Sequence, residues 1–250
     1  WHVNRYTTPP FEYDMIIAEH QGLSRLYLDI YHEGDFMPIG FIFDLDGVLA
    51  DTNTLQFQAW RKVAHLEQVI FKPEFETAFL GLPRHKCLDL LLDGKPASME
   101  HRHYLMALKD TYYLELVNQL KPDDVLAGVV SFLSRAQAMG IGLGLASSSK
   151  RAREVCGRLN ILHYFSAIGD GHTVIHHKPA PDIFIWVAGQ LGISPQDCVV
   201  FEDATVGVRG ARAGGFWVVG LGGDGSQVSE AHRVYPSLAH IQPEDCLPPL

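Results

Sequence analysis

Phe41-Ile42-Phe43-Asp44-Leu45-Asp46-Gly47 is an apolar run that stops abruptly at two carboxylates and a glycine. Two later runs end in similar chemistry. Ile141 to Ala146 leads into Ser147-Ser148-Ser149, and Cys198-Val199-Val200-Phe201 leads into Glu202-Asp203. A Lys178-Pro179 pair lies between them. Short runs that are apolar on both faces read as strands buried in a parallel sheet. In open α/β sheets, ligands bind beyond the carboxyl ends of the strands, near a switch in strand order. The residues that close these runs therefore meet in one crevice. An isolated Asp-x-Asp is more often a turn or a helix cap; the ordered set of four motifs is not explained that way. Carboxylates, a hydroxyl cluster and a lysine in one place describe a site for Mg²⁺ and a phosphoryl group.

Composition sets the outer limits. The chain has 250 residues, room for one large domain or a domain with an insertion. Hydrophobic residues make up 47% and charged residues 20%, a globular profile. A formal net charge of -9 argues against a nucleic-acid surface. No run approaches the roughly 18 apolar residues of a membrane span, and the first residues do not read as a signal peptide. Cys87, Cys156, Cys198 and Cys246 are scattered, without Cys-x-x-Cys spacing, so they read as free thiols in a reducing compartment. The histidine groups His101/His103 and His172/His176/His177 lack partners for a zinc site and read as solvated polar residues.

Residues 1–38 do not share the pattern that follows and read as an extension or the remnant of an upstream segment. After the first strand, residues 52–122 read as a wholly helical insertion. Leu55, Ala59, Trp60, Val63 and Leu66 recur at helical spacing. So do Cys87, Leu90 and Leu91, and then Leu105, Leu108, Tyr112, Leu116 and Leu120. Gly81-Leu82-Pro83 and Asp93-Gly94-Lys95-Pro96 separate the helices. Beyond Lys121-Pro122, helices are expected over 127–139, 150–159, 181–191 and 205–213. Strands are expected over 141–146, 165–169, 198–201 and 216–220. The fold class is α/β: a Rossmann-like, doubly wound parallel-sheet core (39–51 and 123–250) with an inserted α-helical cap (52–122).

Asp44 is the candidate nucleophile, because a carboxylate can carry the phosphoryl group as an aspartyl-phosphate. Asp46 is placed to serve as general acid to the leaving oxygen and general base to the next acceptor. Gly47 suits a backbone that bends sharply away from its strand. Asp44, Glu202 and Asp203 are candidate Mg²⁺ ligands, with Asp46 counted beside them. Lys178 supplies a fixed positive charge on a Pro-rich turn, and Ser147 a hydroxyl. The amides around Ser148 lie near a helix start, where anions are favoured.

The four motifs Asp44-Leu45-Asp46-Gly47-Val48, Ser147, Lys178-Pro179-Ala180-Pro181-Asp182 and Glu202-Asp203 resemble the haloacid dehalogenase superfamily over about residues 39–223. The helical insertion is similar to the cap of its β-phosphoglucomutase and sugar-phosphatase branch. That likeness extends through Asp51-Thr52, Phe57-Gln58-Ala59-Trp60, Gly81-Leu82-Pro83-Arg84, Lys109 and Ala146-Ser147-Ser148-Ser149-Lys150. It implies that Arg84, Ser149 and Lys150 grip a phosphate remote from the nucleophile. It also implies that Thr52, Gln56, Trp60, Lys109 and Ser148 contact the substrate. The implied reaction interconverts β-glucose 1-phosphate and glucose 6-phosphate through a sugar bisphosphate, with Mg²⁺ as cofactor. Two positions depart from the branch: Gln56 stands where a histidine is usual, and Leu80 where a lysine is usual. Glutamine hydrogen-bonds but does not titrate, and leucine brings no charge. The alternative reading is therefore a sugar-phosphate phosphatase; a catalytically silent binding domain on the same fold is a third. The expected partners are the phosphorylated sugar and the bisphosphate, with no nucleic acid and no membrane, for a cytoplasmic monomer whose cap swings on hinges near 50–53 and 121–124.

Overall fold

Phe41, Ile42 and Phe43 have no exposed surface, because their strand lies in the middle of a sheet with both faces covered. The computed structural model describes residues 39–223 and 225–248; the expectation for residues 1–38 lies outside these. The strands are β1 (Gly40–Phe43), β2 (Gly142–Ala146), β3 (Ala167–Gly169), β4 (Cys198–Glu202), β5 (Trp217–Leu221) and β6 (Arg233–Tyr235). They pair in the order β3-β2-β1-β4-β5-β6, all parallel. The chain runs outward from β1 on one side and then returns to build the other, so the switch point lies between β1 and β4. The register sets Phe43 opposite Leu145 and Phe201, which brings the ends of three strands level.

Strand alternation sends neighbouring side chains to opposite faces. Phe41 and Phe43 point to one face, where Phe43 stacks on Phe201 at 4.6 Å and Phe41 on Phe132 at 6.0 Å. Phe132 comes from the helix Val129–Ala138. Ile42 and Val200 point to the other face, against Ile183, Phe184 and Val187 of the helix Asp182–Leu191 and Val208 of Thr205–Ala213. The expected strands and helices of this region all form, with ends shifted by at most about two residues, the usual fraying range. β6 is an addition: a three-residue, partly exposed edge strand with no apolar run to announce it.

Between β1 and the helix Val129–Ala138 lie four α-helices, α1 (Thr52–Leu66), α2 (Glu74–Ala78), α3 (Arg84–Leu92) and α4 (Met99–Val117). Asp51 caps α1 by accepting from the Thr54 amide at 3.3 Å. Trp60, Val63, Phe75, Phe79, Leu88, Leu91 and Leu105 form an apolar cluster of their own. Three details of the expected stripes are corrected. Leu66 and Leu90 are exposed, and in α3 Leu88 and Leu92 join the expected Cys87 and Leu91 as the buried residues. On α4 the buried stripe is Leu105, Lys109, Tyr113 and Val117, rotated from the expected one through Leu108, Tyr112 and Leu116. Apolar residues sit almost all round α4, so spacing alone did not select the inward face. The two links to the sheet run side by side: Ala50 bridges to Val125, and the Leu126 amide donates to the Leu49 carbonyl at 3.0 Å.

Candidate active site

Each site motif sits where its strand ends. Asp44 follows β1, and its amide donates to the Phe201 carbonyl at 2.9 Å, prolonging the β1–β4 ladder by one residue. The chain then turns: Gly47 has φ +80° and its amide donates to the Ala50 carbonyl at 2.8 Å. A β-carbon on Gly47 would stand 1.9 Å from Asp203 Oδ2, so both conformation and space require glycine there.

Lys178 is the hub. Its Nζ donates to Asp44 Oδ1 at 2.5 Å, to Glu202 Oε1 at 2.5 Å and to the Ala146 carbonyl at 3.1 Å. Burial by itself would lower the Lys178 pKa; the Asp44 and Glu202 carboxylates outweigh it and hold the ammonium above the ordinary lysine range. Glu202 is fixed at its other oxygen by the amides of Asp203 (3.2 Å) and Ala204 (3.3 Å). Burial, opposed by Lys178 and reinforced by Asp44, raises the Glu202 pKa to about 7. Burial and the charges of Glu202, Asp44 and Asp46 push Asp203 well above the carboxylate range.

Asp44, Glu202 and Asp203 each offer an oxygen within 4.8 Å of the others. One lysine cannot balance three crowded carboxylates. An all-oxygen donor set with surplus negative charge fits a hard divalent cation such as Mg²⁺. The Asp46 carboxylate is not one of this group. It accepts instead from the Thr52 hydroxyl at the start of α1. Burial and the Asp44 charge raise its pKa to about 6, against lowering by Thr52, Lys109 and Lys178. A carboxyl that titrates near neutrality suits an acid that must also act as a base.

Ser147 is fully buried; its amide donates to the Gly169 carbonyl and its Oγ accepts from the Ser149 amide at 3.0 Å. Asp44, Asp46, Lys178, Glu202 and Asp203 line a small pocket of about 20 Å³. Asp46, Asn53, Gly81 and Ser148 also line the neighbouring cavity of about 340 Å³ between the helical insertion and the sheet. Gln56, Trp60, Arg84 and Lys109 line that cavity from the insertion, and Ser148, Ser149 and Lys150 from the sheet side. Of the expected substrate contacts, only Thr52 does not reach it, lying behind Asp46.

The far end of the cavity is basic. Arg84, ion-paired with Asp110, stands near Lys150, whose pKa is lowered by burial and by the Arg84 charge. His177 is held below its usual value by burial, His85 and Lys150. Lys109 is nearly inaccessible, donates to Gln56 Oε1, and lies over the rings of Tyr113 (4.7 Å) and Trp60 (5.7 Å). Burial takes its pKa down to about 8, against the raising influence of Cys87 and Asp46.

Several lining residues were not anticipated, among them Asn53, Tyr113, His85 and His177. Asn53 donates from Nδ2 to Asp203 Oδ2 at 3.0 Å and so ties the first turn of the insertion to the carboxylate cluster. For His177 the signal was its place beside Lys178; Asn53 and Tyr113 carried none beyond helix position.

Comparison with known proteins agrees with this geometry. The profile of the haloacid dehalogenase-like hydrolase family matches residues 40–215. A β-phosphoglucomutase of Bacillus subtilis is 36% identical, over 72% of this chain and 82% of its own. A fructose-1-phosphate phosphatase of Escherichia coli is 32% identical, over 70% of this chain and 92% of its own. The crystal structure of a β-phosphoglucomutase from Clostridium difficile superposes with a TM-score of 0.79 at 32% identity, covering 84% of this chain and 95% of that one. Among the described residues, no helix is long and apolar enough to cross a membrane.

Proposed function

Because the chain belongs to the haloacid dehalogenase-like hydrolase family, we propose that it transfers a phosphoryl group on a sugar phosphate through Asp44, as a β-phosphoglucomutase. The observation that carries this reading is the two-ended site. Asp44, Lys178 and the carboxylate cluster stand at one end, and Arg84, Ser149 and Lys150 at the other. A second phosphate grip serves an enzyme that must hold a bisphosphate and present either phosphate to the same nucleophile.

In this mechanism an Asp44 oxygen attacks phosphorus in line with the leaving sugar oxygen, and the bond to that oxygen breaks. Asp46, whose pKa is raised to about 6 so that a protonated fraction persists near neutral pH, delivers its proton to the departing oxygen and later takes one from the returning hydroxyl. Lys178 and the backbone amides after Ser147 stabilise charge on the transferring group. Asp44, Asp203 and Glu202 would hold Mg²⁺, which supplies charge neutralisation at the phosphoryl oxygens. The Thr52–Asp46 hydrogen bond sets the acid by the position of α1. We propose further that the insertion is a cap swinging about the paired links at Ala50 and Val125, and that closure excludes water.

The phosphatase reading has its own support. Gln56 and Leu80 replace the two residues usual in the mutase branch, and the E. coli relative is a phosphatase. The deciding experiment supplies β-glucose 1-phosphate, catalytic bisphosphate and Mg²⁺, and measures glucose 6-phosphate against free phosphate. Isomerisation well ahead of phosphate release is expected; the reverse order rejects the mutase.

A further inference from the structure

The buried stripe of α4 contains two polar side chains, and only one of them is satisfied. Lys109 bonds Gln56. Tyr113, 2% exposed, has a phenol oxygen without a hydrogen-bond partner. Among the described residues one other buried side-chain polar atom is in that condition, Trp217 Nε1, which lines neither cavity. Burying an unpaired hydroxyl costs stability, and native structures rarely leave such a group without a purpose.

The ring of Tyr113 has an evident use, since Lys109 Nζ lies 4.7 Å from its centre. A phenylalanine ring would support the ammonium equally well. The hydroxyl needs a separate reason, and its surroundings supply one. Tyr113 lines the large cavity. Thr52 and Gln56 on α1 and Ser149 across the cavity face the phenol closely enough to pull its pKa down against burial, yet none of them meets it in good hydrogen-bonding geometry. It feels the Asp46 charge, which together with the larger effect of burial keeps the phenol protonated. Asp46 marks the reacting end, and Ser149 belongs to the basic end with Lys150. The phenol therefore sits between the two anion grips, where the body of a substrate spanning them must lie.

We propose that Tyr113 is a specificity-determining residue whose hydroxyl hydrogen-bonds a hydroxyl group of the sugar held between the two ends of the site. The inference rests on the sugar-phosphate reading above and narrows it. The preferred substrates are phosphorylated sugars that keep a free hydroxyl midway between the phosphate positions. Analogues lacking that hydroxyl leave the phenol unpaired and are rejected.

The test compares kcat/KM for the best sugar phosphate with its series of monodeoxy analogues, in the parent protein and in Tyr113→Phe, with thermal melts run alongside. The parent should disfavour one deoxy analogue by at least about fivefold, as expected for an unpaired buried hydroxyl. In Tyr113→Phe that preference should shrink towards parity, with the melting temperature held or raised. A parent that treats every deoxy analogue like the full sugar overturns the inference whether or not the variant folds. So does a preference that survives unchanged in Tyr113→Phe. Either result leaves sugar-phosphate transfer standing; a parent protein that turns over no sugar phosphate would remove the proposed function itself, and this inference with it.

Discussion

Replacing Lys109 by methionine should change how stability depends on pH, by an amount the structure lets us calculate. Lys109 is 5% exposed, and burial brings its pKa from 10.5 to about 8. That displacement corresponds to about 3 kcal/mol between the charged and neutral forms. The sign follows from proton counts. Between about pH 8 and 10.5 the unfolded chain holds a proton that the folded chain has released, so this residue makes the fold more stable as pH rises. Below about pH 8 the burial penalty is fully present, and above 10.5 it has gone. Methionine keeps the length and removes the charge. Relative to Lys109→Met, the parent should gain about 2 kcal/mol between pH 7 and 9.5, and about 3 kcal/mol in the limit. The gain is independent of the offset set by the lost bond to Gln56 and the lost ring contacts. Urea denaturation of both proteins at several pH values measures it. Parallel stability curves from pH 7 to 10 would refute the placement of a buried, charged lysine in this cavity.

Other outcomes follow from the site. Asp44→Asn should abolish sugar-phosphate turnover in a steady-state assay while the protein still melts cooperatively, because the nucleophile is lost and Glu202 still holds Lys178. Arg84→Ala should lower kcat/KM at least about tenfold, the worth of a charged hydrogen bond to the remote phosphate; unchanged kinetics would remove the second grip. In Gly207→Ala the new β-carbon would stand 2.0 Å from the Glu202 carboxyl, which must then move off Lys178. Turnover should fall by about a hundredfold, as for comparable misplacements near a reacting centre, and the melting temperature should fall with it, because disturbing a buried ion pair outweighs the roughly 1 kcal/mol that alanine gains in helix propensity. Chelation by EDTA should stop phosphoryl transfer and added Mg²⁺ restore it; activity indifferent to chelation would contradict the reading of the three carboxylates.

Much of the core was legible because the physics involved is local or repetitive. Strands buried on both faces must be apolar throughout, so Phe41–Phe43 and Cys198–Phe201 announced themselves, as did the polar residues that end them. β6 was not legible, because a short edge strand with partly exposed residues has no such signature. Within the site, the charged and hydroxyl residues of the motifs were found by type and order. Asn53 and Tyr113 were not, because their roles come from what faces them: the Asp203 carboxylate in one case and an open cavity in the other.

The sequence by itself determined the alternation of strands and helices, the position of the helical insertion, and the residues gathered at the strand ends. These follow from side-chain polarity along the chain and from the rule that parallel strands share one functional edge. Only the tertiary structure decided which face of α4 turns inward, and so that Tyr113 looks into the cavity beside Lys109, a residue the family likeness already pointed to. It also decided that Asp46 answers to Thr52 while Lys178 binds Asp44 and Glu202 together. A helix with apolar residues nearly all round can be buried on any side, and the partners of a buried charge are chosen by distance across the fold, which the order of residues does not contain.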